Sequence, residues 1–166
     1  MPTSILANPG TVEKAIAAVA NSYESLQVAT GYRYTIKRVY RHLLPEDSLG
    51  GVETPAVFVI RPPGTTGTIE WYDERAYRET LRVDVLAFLK GDGRNPEAQG
   101  LATMAEALLS DLKKLAMADP QFGLGPAGEI KNSRIVADSN DAGWDSSTAV
   151  VGIGLELTVY FDGINP

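Results

Sequence analysis

Three glycines have the spacing most readily tied to chemistry. Gly123, Gly125 and Gly128 follow the pattern G-x-G-x-x-G, which in a dinucleotide-binding turn lets the backbone approach a pyrophosphate. Such a turn needs a strand before the glycines and a helix after them, so that the helix N-terminus meets the phosphate. Here the order is reversed, and Pro126 removes one amide donor. We therefore predict a helix exit and turn, with no nucleotide or other cofactor bound.

Residues that could hold a metal ion or perform catalysis are scarce. The segment 138–145, "DSNDAGWD", begins like a calcium loop, but Ala142 and Ala149 stand where an oxygen ligand and a bidentate glutamate are required. We interpret it as a polar hairpin loop. His42 is the only histidine and cysteine is absent, so neither a two-histidine metal site nor a Ser-His-Asp relay with a spare base can be built. The sequence predicts no catalytic residue and no metal ligand, and the protein is not expected to be an enzyme.

Aromatic and charged residues are concentrated in the segment 71–79, "WYDERAYRE", and a further tryptophan stands in the polar segment 138–145. This composition is enriched in protein–protein contacts, and a large aromatic in a polar loop marks a contact more often than a solvated tip. The residues predicted to contact another subunit or a partner are Trp71, Tyr72, Arg75, Arg78 and Trp144.

A basic stripe precedes this segment. Arg33, Lys37 and Arg41 are predicted to share one face of a strand over residues 32–42, with tyrosines interleaved. Such a stripe could bind nucleic acid. A solvated face, or one that meets an acidic neighbouring subunit, is the interpretation we favour.

Length, composition and charge limit the classes of protein. The chain has 166 residues, of which 44% are hydrophobic and 22% charged, values typical of one soluble globular domain. No run approaches the ~20 apolar residues of a membrane span, and a secretory signal is not expected. The formal net charge is −6, and residues 91–166 hold five Lys or Arg against eleven Asp or Glu. Attraction to phosphate is therefore not expected to be the main activity.

The hydrophobic periodicity predicts the elements that position these residues. Apolar residues at helical spacing predict helices over residues 11–26 and from about 96 to 117, the second burying Leu101, Ala105, Leu108, Leu112 and Leu115. Alternating or apolar runs predict strands at 32–42, 54–63, 76–90, 129–137 and 148–161, with a turn and a short or bulged segment over 64–75. We predict an α+β fold, a single domain over residues 1–166 with its core at about 11–162. Its mainly antiparallel or mixed sheet would carry both helices on one face.

Two glycines in the last strand add a detail to this prediction. Gly152 and Gly154 fall on the face opposite the apolar side chains. A glycine inside a strand often marks the close approach of another backbone. We therefore expect another backbone segment to pack against the strand there.

The order of these motifs resembles the tail terminator (tail completion) proteins of long-tailed bacteriophages. After an N-terminal helix come a strand containing "RVYR", an acidic loop leading to "PAVFV", a long strand containing "LRVDV", a helix ending in "DLKKLAMADP" and a last strand ending in "GLELTVYF". The resemblance covers residues 11–162. Each motif is weakly specific, and the family's docking residues are not fixed signatures, so no site residue is assigned by it.

The resemblance implies a virion structural protein. Such proteins close as a hexameric ring on the last ring of the tail tube, end tube growth and offer a surface to the head connector. The implied partners are further copies of the chain, the tail tube protein and a head-completion or connector protein. DNA would pass through the ring without specific binding, no membrane is involved, and assembly in the host cytoplasm would place the protein in the virion tail or neck.

Two alternatives remain open. A head–tail joining (neck or stopper) protein shares much of this small α+β build. A small acidic ligand-binding domain or an uncharacterised enzyme would instead use a pocket between the sheet and the helices. Self-assembly separates the first two interpretations from the third, and binding to tail tube protein separates the terminator from the stopper.

Charge predicts which residues of a ring would face its channel. A channel that passes DNA must not retain it, and a wall of like charge prevents retention. The acids expected to face the channel are Glu129, Asp138, Asp141 and Asp145. The basic stripe should then face a neighbouring subunit or ring.

Overall fold

The computed structural model of the protein describes residues 10–74, 76–91, 98–142 and 147–162. Within these ranges the fold consists of two α-helices and six strands, with short 3-10 helices at Val28–Thr30 and Glu46–Gly51. The helices are α1 (Thr11–Glu24) and α2 (Ala98–Ala118). The strands are β1 (Arg38–Tyr40), β2 (Ala56–Ile60), β3 (Thr68–Trp71), β4 (Ala76–Lys90), β5 (Ile130–Ala142) and β6 (Thr148–Asp162).

The strands form one mixed sheet in the order β1-β2-β4-β6-β5. The β1–β2 pair is parallel and every other pair is antiparallel. Strand β6 pairs with β4 along the whole length of β4. On the other side of β4, β3 pairs with the first half of β4 and β2 with the second half. The predicted α+β fold with a mixed sheet is confirmed.

The long strands β4 and β6 form the centre of the sheet, and their sequences alternate as a half-buried strand requires. Leu81 and Val83 lie opposite Leu157 and Leu155, and all four are fully buried against the helices. The intervening residues point to the other side, which we call the open face. Apolar residues occupy every second position from Leu81 to Leu89, and the predicted and observed bounds of β4 agree.

Both helices pack on one face of the sheet, as predicted. All five leucine and alanine residues of the predicted α2 stripe are buried. Tyr23 of α1 is also buried, and its hydroxyl donates a hydrogen bond to the carbonyl oxygen of Leu112, 3.0 Å away. Burial, with a smaller contribution from Tyr32, raises the pKa of the Tyr23 phenol. This contact ties α1 to α2 across the core.

The predicted strand over residues 32–42 is wrong in its first half, because only β1 is a strand. The backbone amides of Arg33 and Tyr34 donate to the Oδ2 atom of Asp111 on α2, at 2.8 and 3.1 Å. Asp111 is buried. A side chain of α2 therefore accepts hydrogen bonds from amides that would otherwise bond to a neighbouring strand. The segment before β1 is held against α2 and is not part of the sheet.

The polar hairpin loop predicted from Asp138 onwards is also corrected. Strand β5 continues to Ala142, and Asp138 pairs with Ile153 of β6. Asp138 and Asn140 lie on the helix side and bond to Lys113 and Glu106 of α2. Because side chains of α2 bond to these polar residues, the segment forms a strand although its composition is typical of a loop.

Gly152 and Gly154 of β6 lie on the open face, as predicted, but among the described residues it is side chains of β4 that lie over them. A Cβ atom at Gly154 would overlap the guanidinium of Arg82, and one at Gly152 would overlap the side chain of Leu86. The expectation of a close backbone is therefore wrong. The glycines make room for two β4 side chains that lie across β6.

A second, smaller core covers part of the open face. It contains Ala56, Phe58 and Phe88 of the sheet, together with Val52 of the segment that joins β1 to β2. The Nζ atom of Lys90 donates to the carbonyl oxygens of Gly50 and Val52, at 2.7 and 2.9 Å, and so fixes the end of that segment.

Candidate functional site

The three glycines of the G-x-G-x-x-G pattern lie between α2 and β5, in the turn that the sequence predicts. Gly123 and Gly125 have φ angles of 79° and 69°, a backbone conformation that favours glycine. The carboxylate of Asp119 accepts the amide N–H groups of Gln121 and Gly123, at 3.1 and 2.5 Å. The anion at these amides is thus the chain's own aspartate, and a phosphate there would meet a negative charge.

Within the four described ranges, no group of three His, Cys, Asp or Glu side chains is arranged to hold a metal ion. His42 is exposed, and its ring meets the edge of Tyr40, with the ring centroids 6.3 Å apart. Neither of the two helices, over the part of each that the structure describes, combines the length and the apolar composition of a membrane span.

The most distinctive surface is at one end of the sheet, where β3, the start of β4 and the end of β6 meet. We define the aromatic corner as Trp71, Tyr72, Tyr77, Arg78 and Tyr160. Trp71 is 64% exposed and Tyr72 57%. Large aromatic side chains with this exposure are typical of contact surfaces.

The aromatic corner occupies both faces of the sheet. Trp71 and Tyr77 are direct partners in the β3–β4 pair, on the side that carries the helices, and their ring centroids are 4.7 Å apart. On the open face, Tyr72 reaches over β4 to Tyr160 of β6, with centroids 5.9 Å apart. The sheet therefore ends in an aromatic pair on each side.

Charged groups surround the open-face pair. The guanidinium carbon of Arg78 lies 5.8 Å from the centroid of the Tyr72 ring, and Lys131 Nζ lies 5.9 Å from that of Tyr160. Arg78 also donates a hydrogen bond to the carboxylate of Glu70. That bond, followed by the charges of Glu70 and Tyr72, raises the pKa of the Arg78 guanidinium. The corner thus presents aromatic rings flanked by paired charges and can bind by stacking and hydrogen bonding together.

The structure brings together three of the five residues predicted for contacts, Trp71, Tyr72 and Arg78. Arg75 and Trp144 lie outside the described residues. The sequence analysis missed Tyr77 and Tyr160. Only the pairing of Arg78 with Tyr160 across β4 and β6 reveals that Tyr160 belongs to the corner, because 82 residues along the chain separate the two.

The four acids predicted to face a channel are not gathered at one place. Glu129 lies before β5, with its Oε1 atom 3.9 Å from the Nζ atom of Lys14. Asp138 and Asp141 lie on opposite faces of β5, and Asp141 is roughly 40 Å along the strand from Glu129 at the usual rise per residue. Asp145 lies outside the described residues. One flat wall therefore cannot contain all of them.

The basic stripe is not a strand face, because β1 contains none of its three residues. The interleaved tyrosines are engaged within the chain. The ring of Tyr40 stacks on Phe58 with centroids 5.1 Å apart, and Lys114 Nζ lies 5.0 Å from the centroid of Tyr32. The structure therefore gives the stripe no aromatic platform for stacking bases.

A shallow pocket of about 100 Å³ lies on the open face beside the two β6 glycines. Its charged lining residues are Arg82, Asp84 and Asp138, and each is already paired. Arg82 Nε donates to Asp84 Oδ1 at 2.6 Å, and Lys113 of α2 donates to the carboxylate of Asp138. Ser139 of β5 and Leu86 of β4 complete much of the wall. Both carboxylates of the lining are therefore engaged by a basic side chain of the same chain.

No protein-family model matches this chain, and no curated protein sequence matches it at a significant level. The contact geometry of the aromatic corner and the order of the sequence motifs are therefore the basis for a functional proposal.

Proposed function

We propose that this protein is a structural component of a bacteriophage virion that closes as a hexameric ring on the tail tube. The ring ends tube polymerisation and presents a surface to the head connector. The observation that carries the proposal is the aromatic corner, where Trp71 and Tyr72 remain more than half exposed. Burial of such side chains against a partner is the usual source of binding energy at a protein interface.

The order of the sequence motifs supports the same proposal, because it resembles tail terminator proteins over residues 11–162. The fold supports it in a second way. The two helices cover the centre of one sheet face, whereas the sheet end and the open face leave charged and aromatic groups available for contacts.

Charge bears on the passage of DNA. Each copy has a formal net charge of −6, so a ring of six is strongly negative and repels phosphate on average. Because Asp138 and Asp141 lie on opposite faces of β5, we propose that they contribute to different surfaces of the ring, and that only one of them faces the channel.

The test is a tube-length assay with the tail tube protein of the same phage. Polymerisation in the presence of the purified protein should give shorter tubes, each with one added ring at an end by negative-stain electron microscopy. A ring that forms but leaves tube length unchanged would favour the neck or stopper protein. A chain that neither assembles nor binds tubes would overturn the proposal and favour the ligand-binding alternative.

A further inference from the structure

In the part of the chain that the structure describes, three strands of the sheet have an unpaired backbone edge: β5 on one side of the β4–β6 pair, and β3 and the three-residue β1 on the other. Strand β5 pairs only with β6, and β3 pairs only with β4. Within the described ranges, no other strand bonds to the outer edge of either. Free N–H and C=O groups along a strand edge are a template for a strand from another molecule.

We propose that β3 of one copy adds to β5 of the next, so that the sheet continues from subunit to subunit, head to tail. This inference rests on the proposed function for the ring itself and names the joint that would build it. It commits to a second copy of this chain as the occupant of the β5 edge. A joint between two different surfaces is the kind that generates rings.

The strand directions agree with this joint. Both β3 and β6 are antiparallel to β4, and β5 is antiparallel to β6, so β3 and β5 run in opposite directions. Copies placed side by side in one orientation therefore bring β5 against the next β3 as an antiparallel pair, with the helices of both copies on the same side. Antiparallel pairing is the more stable arrangement.

The lengths of the regular segments also agree. Strand β5 has two register shifts, between Ile130 and Asn132 and between Ile135 and Ala137. They divide β5 into two regular runs, residues 132–135 and 137–142. The first run has four residues, as β3 does. Bulges limit indiscriminate edge pairing, so β5 is better suited to a short partner than to the full length of a second β5.

One register matches faces, sizes and charges at once. On the helix side it sets Ile69 opposite Ile135, and on the open face it sets Glu70 opposite Arg134. Ile69 is half-exposed at the β3 edge and would be covered by the neighbour. Arg134 already pairs with Glu156 and Glu70 with Arg78, so the joint would align four charges of alternating sign. Opposite charges directly across a strand pair are stabilising.

The chain has no cysteine, so disulfide cross-linking tests the joint without background. The double variant Ile69→Cys with Ile135→Cys, oxidised at high protein concentration or on tail tubes, should give a ladder of bands at multiples of 17.8 kDa that collapses on reduction. The matched control, Glu70→Cys with Ile135→Cys, places the thiols on opposite faces and should give no ladder. Each single variant should remain uncross-linked.

The outcomes separate this inference from the ring proposal. Tube capping by the double variant without a ladder would overturn the β3–β5 joint and leave the ring proposal standing. A dimer from Ile135→Cys alone would show β5 pairing with β5 and would also overturn the joint. A chain that stays monomeric and binds no tubes would overturn both.

A charge-reversal pair provides a second readout that does not depend on oxidation. Glu70→Arg or Arg134→Glu alone should weaken self-association at least about tenfold by sedimentation, and the two together should restore it, because only the contact between subunits regains opposite charges. Circular dichroism checks that each variant is folded. Failure of the double reversal to restore association in folded protein would contradict the proposed register.

Discussion

The two faces of the sheet differ in the side chains that the same strands present. On the helix side, alternate residues of β4 and β6 are apolar and buried under α1 and α2. On the open face, the same strands present charged, polar and glycine residues beside the second, smaller core. The main core therefore lies on one side of the sheet, whereas the exposed aromatic groups are concentrated at the sheet end, in the aromatic corner.

This separation has a measurable consequence. Substitutions on the helix side should lower the free energy of unfolding by amounts that reflect lost burial. Substitutions in the aromatic corner should leave the fold largely intact and change association instead.

The largest effect is expected in α2. Leu112 is fully buried, so Leu112→Ala should lower the free energy of unfolding by about 2–4 kcal/mol, through lost burial and the cavity left behind. Leu108→Ala should behave alike. Met117 of the same helix is 71% exposed, and Met117→Ala provides the matched control, with a change within about 0.5 kcal/mol. Equal changes at Leu112 and Met117 in urea unfolding would show that the buried face is misplaced.

The next effect is expected at Asp111. Asp111→Ala leaves the amides of Arg33 and Tyr34 without their acceptor and should cost about 1–3 kcal/mol. Asp111→Asn retains an acceptor oxygen and should cost less. Urea unfolding of both variants measures the difference, and hydrogen exchange should show faster exchange of those two amides in Asp111→Ala. Unchanged exchange would contradict the role given to this side chain.

Alkaline pH should act through the buried phenol of α1. The pKa of Tyr23 is raised above its ordinary value of 10.0, first by burial. The contribution of the Tyr23 phenol to the free energy of unfolding is therefore fully present below about pH 10. As the pH rises further, Tyr23 ionises in the unfolded chain first, and the free energy of unfolding falls by about 1.4 kcal/mol per pH unit for one group. Tyr23→Phe should be less stable at neutral pH but lose less stability between pH 10 and pH 11. Identical pH slopes for the two proteins would contradict this assignment.

The smallest effect on stability is expected at Trp71. Its ring is mostly exposed and packs mainly against Tyr77, so Trp71→Ala should cost about 1 kcal/mol or less. Self-association, measured by sedimentation velocity, should nevertheless be lost. A large fall in the free energy of unfolding would show that Trp71 belongs to the core of the fold and would contradict its assignment to a contact surface.

The parts of the fold that depend on local periodicity were predicted from the sequence. The bounds of β4 and the buried stripe of α2 follow from alternation and helical spacing. The segment before β1 was wrong because its amides bond to Asp111, 77 and 78 residues away along the chain. No local pattern reports such a distant acceptor.

The contact surface was predictable only in part, for the same reason. The composition of residues 71–79 indicated Trp71, Tyr72 and Arg78, since all three lie within one short segment. Tyr160 belongs to the corner through strand pairing, and the acids of β5 were grouped by composition although the strand places Asp138 and Asp141 on opposite faces. Pairing partners and strand faces had to come from the structure.

The most direct test is tube capping by two folded variants compared with the wild type. Trp71→Ala removes the most exposed ring of the aromatic corner. Val28→Ala removes an exposed apolar side chain in the turn after α1 and is the matched control. We predict that Trp71→Ala leaves tube length uncontrolled while Val28→Ala shortens tubes as the wild type does. Equal capping by all three proteins would contradict the role of the aromatic corner in assembly.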